Sequence, residues 1–180
     1  MSSSEHRARP TRRALGLASL AFILAGCGFH PLYAPRGPQD WDPDLAAIEV
    51  LPINDRPGQI LELALRENLN PGDISVQPRW ILLTSLTTVR GDLGIQRNAT
   101  ATTSELTVNA SFSIQDAKTR QSVYTGTSTA VGDFDLVDDA YATQVAANAA
   151  RDRAIQEVAQ DMTLRLAIFV RDQRAKAAAR

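Results

Sequence analysis

Few side chains in this sequence could carry out chemistry on a substrate. The 180 residues include a single cysteine, Cys27, and two histidines, His6 and His30. One cysteine excludes an intramolecular disulfide and a multi-cysteine metal site, and two histidines cannot supply the usual histidine-dependent catalytic or metal-binding arrangements. The sequence also lacks a Gly-x-x-x-x-Gly-Lys phosphate loop and a Gly-x-Ser-x-Gly nucleophile elbow. We therefore predict a protein that is not an enzyme and that has no cofactor and no resident metal.

One acidic cluster could suggest a cation site. Asp133, Asp135, Asp138 and Asp139 are close in sequence, and carboxylate oxygens are the ligands that calcium prefers. The cluster lacks the glycine and the terminal glutamate of an EF-hand loop. We favour the interpretation that these aspartates form the solvated start of a helix, where they complement the positive end of the helix dipole.

Two arginines remain as candidates for binding a ligand. Arg90 and Arg97 bracket the stretch Gly91–Gln96, which separates two strand-like runs, so the end of a hairpin is expected to present two guanidinium groups. Arginine binds phosphate in a bidentate manner, which suits the head of a phosphorylated glycolipid. The alternative is that both arginines only solubilise a loop.

Cys27 follows a segment that is typical of an export signal. Four arginines between positions 7 and 13 precede the apolar run Ala14–Ala25, which is shorter than the roughly 20 residues that span a bilayer. The sequence Leu-Ala-Gly-Cys that ends at Cys27 resembles the lipobox of bacterial lipoproteins, in which the cysteine becomes the first mature residue and is acylated. We expect residues 1–26 to be a signal peptide and Cys27 to carry an effectively permanent acyl anchor. The alternative is a chance cysteine after an ordinary secretory signal.

The mature chain is mildly acidic. Residues 1–26 hold four arginines and Glu5, so 15 basic and 19 acidic side chains remain after their removal. This balance argues against a nucleic-acid-binding protein, which needs a basic domain or stripe. The residue after the cysteine is Gly28 rather than aspartate, which in bacterial lipoproteins usually directs the protein to the outer membrane. We expect a lipid-anchored domain that faces the periplasm.

The distribution of proline and the apolar periodicity predict the elements behind these candidates. Residues 27–45 include several prolines with little periodicity and are predicted to be the lipidated N-terminus and an extended tether, while residues 46–180 are predicted to be a single domain. Alternation predicts four strands, and i, i+3, i+4 spacing predicts two helices. In chain order these are strand 47–53, helix 57–70, strand 80–89, strand 106–115, strand 122–131 and helix 141–175. The predicted fold is α+β, with two helices on one face of a four-stranded, mostly antiparallel sheet.

The residues after the proposed lipidation site resemble a known family. The run Cys27–Tyr33, of sequence Cys-Gly-Phe-His-Pro-Leu-Tyr, is similar to the mature N-terminus of the lipopolysaccharide (LPS) assembly lipoprotein family, LptE, in its alphaproteobacterial branch. The similarity continues in Gly94–Asn98, in Thr107–Ala110 and in the Ala/Arg-rich C-terminal helix. Members of this family are small α+β domains, in agreement with the fold predicted from the periodicity.

This resemblance implies a partner and a substrate. LptE proteins are outer-membrane lipoproteins that plug the large β-barrel LptD, help that barrel to fold and assist LPS transport and insertion into the outer leaflet. In related proteins a basic residue before the third strand contributes to LPS binding, and Arg97 matches that position. A second basic position of some relatives has no counterpart, because no Lys or Arg lies between Arg120 and Arg151. The alternative function is that of an auxiliary lipoprotein of an ABC-type phospholipid transport system.

Overall fold

A computed structural model of the chain describes residues 42–95 and 101–179, with the backbone alone at 92–95, 101 and 102. In chain order the elements are α1 (Pro43–Ala46), β1 (Ile48–Val50), α2 (Arg56–Leu69), β2 (Trp80–Ile95), β3 (Ala101–Asp116), β4 (Ser122–Asp135) and α3 (Ala140–Ala178). The strands form one sheet in the order β1-β2-β3-β4, in which β1 is parallel to β2 and the other neighbours are antiparallel. The predicted α+β fold with a four-stranded, mostly antiparallel sheet is confirmed.

The core lies between the sheet and the two long helices. Alternate residues of β3, from Leu106 to Ile114, are buried, as their alternation with polar residues predicts. Those from Val108 to Ile114 belong to one buried cluster with Leu61 and Leu65 of α2 and a stripe along α3. The buried residues of that stripe are Ala150, Ala154, Ile155, Val158, Ala159, Met162, Leu166, Phe169 and Val170. Both long helices therefore cover the same face of the sheet, which we call the covered face.

Two glycines allow close packing on the covered face. A Cβ added to Gly132 in β4 would lie 2.6 Å from the backbone oxygen of Ala150 in α3. A Cβ added to Gly126 would lie 2.7 Å from the ring of Phe112 on the neighbouring strand. Real Cβ atoms do not approach other heavy atoms so closely, so glycine lets α3 and the aromatic ring approach the β4 backbone directly.

A polar link crosses the covered face between β4 and α3. The buried hydroxyl of Ser128 donates a hydrogen bond of 2.6 Å to Oδ2 of Asp161, and Nε of Arg165 donates to the same oxygen at 2.8 Å. The hydrogen bond from Arg165, aided by that from Ser128, outweighs partial burial and lowers the pKa of Asp161 below its ordinary value. These hydrogen bonds hold α3 at a defined position along β4.

The antiparallel strands are longer than the alternation predicts. Strand β2 continues past Val89 to Ile95, and β3 begins at Ala101 rather than Leu106. Gly91 and Gly94 made this stretch resemble a loop, but the ladder continues through Gly91 opposite Glu105 to Ile95 opposite Ala101. Cross-strand pairing decides strand formation more than intrinsic propensity does, so the hairpin projects farther than expected.

A short helix precedes the sheet where the composition predicts a tether. Asp42 caps α1 by accepting a hydrogen bond of 3.0 Å from the backbone N–H of Asp44, and Pro43 occupies the first turn, where its missing N–H costs nothing. Arg174 near the end of α3 donates hydrogen bonds to the carboxylates of Asp42 and Asp44. The last part of the predicted tether is therefore bound to α3.

Helix α3 spans 39 residues and begins at the acidic cluster. The carboxylate of Asp139 accepts hydrogen bonds from the backbone N–H groups of Tyr141 at 2.8 Å and Ala142 at 3.2 Å. Asp139 is thus the N-cap, which agrees with the favoured interpretation of this cluster as a helix start. Among the described residues, no helix is both long enough and apolar enough to cross a membrane.

Candidate functional site

The second face of the sheet, which we call the open face, carries short uncharged polar side chains over its middle. They alternate with the buried residues on β2, β3 and β4, and the exposed ones are Ser85, Thr87, Ser111, Thr125, Thr127 and Thr129. Toward the hairpin, Glu105, Asp133 and Asp135 lie on the same face. The hydroxyl of Thr129 donates a hydrogen bond of 2.9 Å to the side-chain oxygen of Asn109 on the adjacent strand. Thr125, Thr127 and Thr129 share one face, as their spacing predicts.

A shallow depression lies on this open face. Its volume is about 570 Å³, and its lining includes Leu83, Ser85, Ser111, Thr125 and Thr127. All of these side chains are uncharged, and most present a hydroxyl group that both donates and accepts hydrogen bonds. Such a surface can pair with another polar wall without burying a charge, which makes it suited to contact with a protein rather than to catalysis.

Arg90 lies within β2 and not in the loop that the sequence predicts. It is paired with Leu106 on the covered side of the sheet. Its guanidinium carbon is 5.1 Å from the centre of the Phe134 ring, and Nη2 donates a hydrogen bond of 3.2 Å to the buried hydroxyl of Ser104. The prediction that Arg90 stands at a loop boundary is wrong, because the ladder of β2 and β3 extends beyond it.

The surroundings of Arg90 hold its guanidinium group in one orientation. Leu106, Phe134 and Ala150 form a small buried cluster at the end of the sheet that carries the β2–β3 hairpin. The guanidinium group stacks on the ring of Phe134 at the border of that cluster, within the range of a cation–π interaction. A stacked arginine retains its planar donors, so this position can both close the cluster and contact an anionic group.

The other two site candidates lie outside the described residues. Cys27 precedes the first described residue, and Arg97 falls in the gap at residues 96–100. The strand ends on either side of that gap, Ile95 and Ala101, are paired with each other. Arg97 therefore belongs to the chain segment that connects β2 to β3, seven positions after Arg90.

Sequence reasoning missed the contacts of Arg90 with Ser104 and Phe134. Ser104 and Phe134 lie on different strands and are paired directly with each other in the β3–β4 ladder. The alternation of β3 could have identified Ser104, because Ser104 lies on the same face of the strand as the buried Leu106 and Val108. The predicted strand begins at Leu106, so the alternation was not followed back to Ser104.

Comparison with known proteins assigns the chain to a family. The family model of LptE, described as lipopolysaccharide-assembly, matches residues 45–166, which is more than half of the chain. The chain belongs to the LptE family. The LptE family is a non-enzymatic family of LPS-assembly lipoproteins, so the protein has a role in LPS assembly and is a lipoprotein of the cell envelope. No curated protein sequence matches the chain.

Solved structures support the LptE assignment at the level of the fold. A protein described as a lipoprotein from Caulobacter crescentus CB15 is 26% identical, with a TM-score of 0.56, over 71% of this chain and 92% of that one. Rare lipoprotein B from Shewanella oneidensis is 11% identical, also with a TM-score of 0.56, over 71% and 98%. A minor lipoprotein from Acinetobacter baumannii is 17% identical, with a TM-score of 0.52, over 66% and 88%. The latter two share the fold with this LptE protein.

Proposed function

We propose that this LptE family member is the outer-membrane lipoprotein of the LPS translocon, of alphaproteobacterial type. It is anchored through Cys27, acts as plug and assembly partner of the β-barrel LptD, and assists LPS transport and insertion into the outer leaflet. The observation that carries the partnership is the uncharged, hydroxyl-rich middle of the open face across β2, β3 and β4. The family match supports the pathway, because it covers nearly all of the described sheet.

The chemistry of the open face fits the inside of a barrel. Barrel lumens are polar, and their walls present alternating side chains that point inward. A charged face would lose solvation on contact with such a wall, whereas hydroxyl groups of Ser and Thr can exchange water for protein partners at little cost. The middle of the open face satisfies this requirement, because its exposed Ser and Thr side chains lie on three adjacent strands.

The anchor at Cys27 would raise the encounter rate with such a barrel. Only fourteen residues separate Cys27 from Asp42, where the described structure begins. Attachment to the membrane that holds the barrel confines the domain to a thin layer and increases its effective concentration toward the partner. No turnover is needed for this role, in keeping with a family of assembly lipoproteins.

The hairpin between β2 and β3 would contact LPS. Arg97 would supply a guanidinium group to an LPS phosphate, and Arg90 would supply a second one whose orientation is set by the ring of Phe134. Two arginines on one hairpin form a site for a phosphorylated lipid head rather than for its acyl chains. The absence of a further basic residue between Arg120 and Arg151 concentrates the expected contact on this hairpin.

Purification through a C-terminal tag in mild detergent tests the partnership. We expect a large outer-membrane barrel to co-elute in roughly equal amount with the wild-type protein. Thr127→Lys places a charge on the open face and should reduce the recovery of the barrel at least several-fold, because burying an unpaired ammonium group is costly. Gln156→Lys, on the exposed side of α3, is the matched control and should leave recovery unchanged.

Other outcomes of this purification would contradict the proposal. Recovery of an ATPase or a substrate-binding component without a barrel would assign the protein to phospholipid transport instead. Equal recovery of the barrel with Thr127→Lys and Gln156→Lys would show that the open face is not the contact surface.

A further inference from the structure

One end of the sheet is opposite to the hairpin end and carries a different set of charges. Trp80 at the start of β2 is paired with Asp116 at the end of β3, so the β3–β4 turn at 117–121 lies there. The last turns of α3 reach the same place, because Lys176 and Gln173 line a cavity of about 250 Å³ together with Trp80 and Asp116. Helix α1 joins them through Arg174. We call this region the tether end.

The two ends differ in the sign of their charge. Among the described side chains, residues 42–46, 79, 116–120 and 171–178 at the tether end hold six cations and four anions, whereas residues 90, 91, 103–105 and 133–139 at the hairpin end hold one cation and five anions. At the tether end these are Arg79, Lys118, Arg120, Arg171, Arg174 and Lys176 against Asp42, Asp44, Asp116 and Asp172. At the hairpin end they are Arg90 against Glu105, Asp133, Asp135, Asp138 and Asp139. An anionic surface would therefore attract these residues of the tether end more strongly than those of the hairpin end.

Half of the cations at the tether end are already paired. Arg174 binds Asp42 and Asp44, Arg79 binds Asp44 at 2.7 Å, and Arg171 lies 3.3 Å from its neighbour Asp172. Burial raises the pKa of Asp44, but its hydrogen bond and charge interactions with Arg174 and Arg79 outweigh this and hold the pKa below its ordinary value. These pairs fix α1 against α3 and leave three of the described cations at this end outside an ion pair.

Those three are Lys118, Arg120 and Lys176. All are exposed, and within the part of the chain that the structure describes none has a carboxylate at ion-pair distance. The turn that holds the first two is ordered by Asp116, whose carboxylate accepts hydrogen bonds from the backbone N–H groups of Lys118 at 2.9 Å and Thr119 at 2.8 Å. The turn therefore presents its cations from a fixed position.

The point at which the described chain begins indicates what these cations face. Asp42 is bound at the tether end, and fifteen peptide bonds connect it to Cys27. A chain of that length spans at most about 50 Å and on average about 20 Å when flexible. If Cys27 is acylated, the tether end is therefore the part of the domain that is joined most directly to the lipid headgroups.

We propose that the tether end docks on anionic phospholipid headgroups of the membrane that holds the acyl anchor, through Lys118, Arg120 and Lys176. This inference rests on the lipidation of Cys27 in the proposed function. Each cation near an anionic membrane surface increases the ratio of docked to released protein by about fivefold at moderate salt. Because the hairpin lies at the opposite end of the sheet, docking also orients Arg90 and Arg97 away from the anchoring leaflet.

The lipidated mature protein in vesicles provides the test. A fluorophore on a cysteine introduced at Gln121 reports the distance of the turn from an acceptor on the lipid headgroups, and one at Val137 reports the opposite end. With phosphatidylglycerol present at low salt, we expect strong energy transfer from position 121 and weak transfer from position 137. Phosphatidylcholine alone, or high salt, should reduce the transfer from position 121.

Charge removal gives the matched comparison. Lys118→Gln combined with Arg120→Gln should shift the docked population about twentyfold or more toward the released state. Arg56→Gln combined with Arg153→Gln removes two exposed cations elsewhere and should leave the transfer unchanged. Equal transfer from position 121 in both kinds of vesicle, or equal effects of the two double variants, would overturn the docking.

Flotation of the same samples separates this inference from the proposed function. Protein that floats with both kinds of vesicle is anchored, and the fluorescence then decides the docking alone. Protein that does not float has no acyl anchor, which contradicts both the lipidation of Cys27 and the docking that depends on it. If the turn variants lose a co-purifying barrel while their vesicle readings match the wild type, the cations face a protein, and the lipid proposal is wrong.

Discussion

The two faces of strands β2, β3 and β4 are built from alternate residues of the same chain segments but meet different surroundings. On the covered face, Val108, Ala110 and Ile114 are buried beneath α2 and α3. On the open face of the same strands, Ser111, Thr127 and Thr129 are exposed and uncharged. Because neighbouring residues belong to opposite faces, a change at one position should affect stability and a change at the next should affect recognition.

Strand β4 shows the difference between the two faces most clearly. Gly126, Ser128, Ala130 and Gly132 lie on the covered face and are small, which lets the helix and the Phe112 ring approach the strand. The intervening threonines add nothing to that packing. We infer that the covered face determines whether the domain folds, and that the open face is available for a partner.

Paired valine truncations should show the largest difference between the faces. Val108 is 0% exposed and Val89 is 54% exposed, and both lie in long strands of the sheet. Val108→Ala removes buried methyl groups and should lower the free energy of unfolding by about 2–3 kcal/mol. Val89→Ala should change it by less than about 0.5 kcal/mol. Urea denaturation followed by circular dichroism measures both, and similar losses would remove the distinction between the faces.

Crowding at the helix contact should have the next largest effect. Gly132→Ala places a methyl group against the backbone oxygen of Ala150, and α3 must shift to accommodate it. We expect a loss of about 1–3 kcal/mol in the free energy of unfolding. Val131→Ala, one residue earlier on the open face, serves as the control and should be close to neutral. Thermal unfolding of the two variants provides the comparison, and a neutral Gly132→Ala would show that α3 is held less closely than the geometry indicates.

The polar link between Ser128 and Asp161 should have the smallest effect, and one that depends on pH. Ser128→Ala removes a hydrogen bond to a carboxylate and should cost about 1 kcal/mol at neutral pH. Because the pKa of Asp161 is lowered on folding, its contribution is fully present above the ordinary value of 3.8 and is lost as the pH falls through the lower folded value. Unfolding curves of both proteins should therefore converge below about pH 3.8, and a constant difference down to lower pH would exclude ionised Asp161 as the acceptor.

The fold could be predicted where periodicity and packing agree. The alternation from Leu106 to Ile114 and the apolar stripe of α3 identified the covered face correctly, because burial on one side imposes a period on the sequence. The strand extension around Gly91 could not be predicted, because it depends on pairing with residues near Glu105 on another strand. Likewise, α1 depends on Arg174, which lies 130 residues after Asp44.

The site could be predicted in its residue types but not in its geometry. The arginine at position 90 was identified as a candidate, yet its contact with Phe134 joins residues 44 positions apart and leaves no local pattern. The alternation of β4 places its threonines on the open face, and the structure extends that face to Ser85 and Ser111 on the neighbouring strands. Neither periodicity nor packing identifies the ligand or the partner.

Site-specific photo-crosslinking in cells that produce the protein is the most direct test of whether the open face contacts a β-barrel. A photoreactive residue replaces Thr127 on the open face or, in a separate strain, the exposed Leu164 on α3. We expect a crosslink from position 127 to a large outer-membrane β-barrel and a much weaker one from position 164. A barrel crosslink from position 164 but not from position 127, or none from either position, would contradict the assignment of the open face as the surface that meets the barrel.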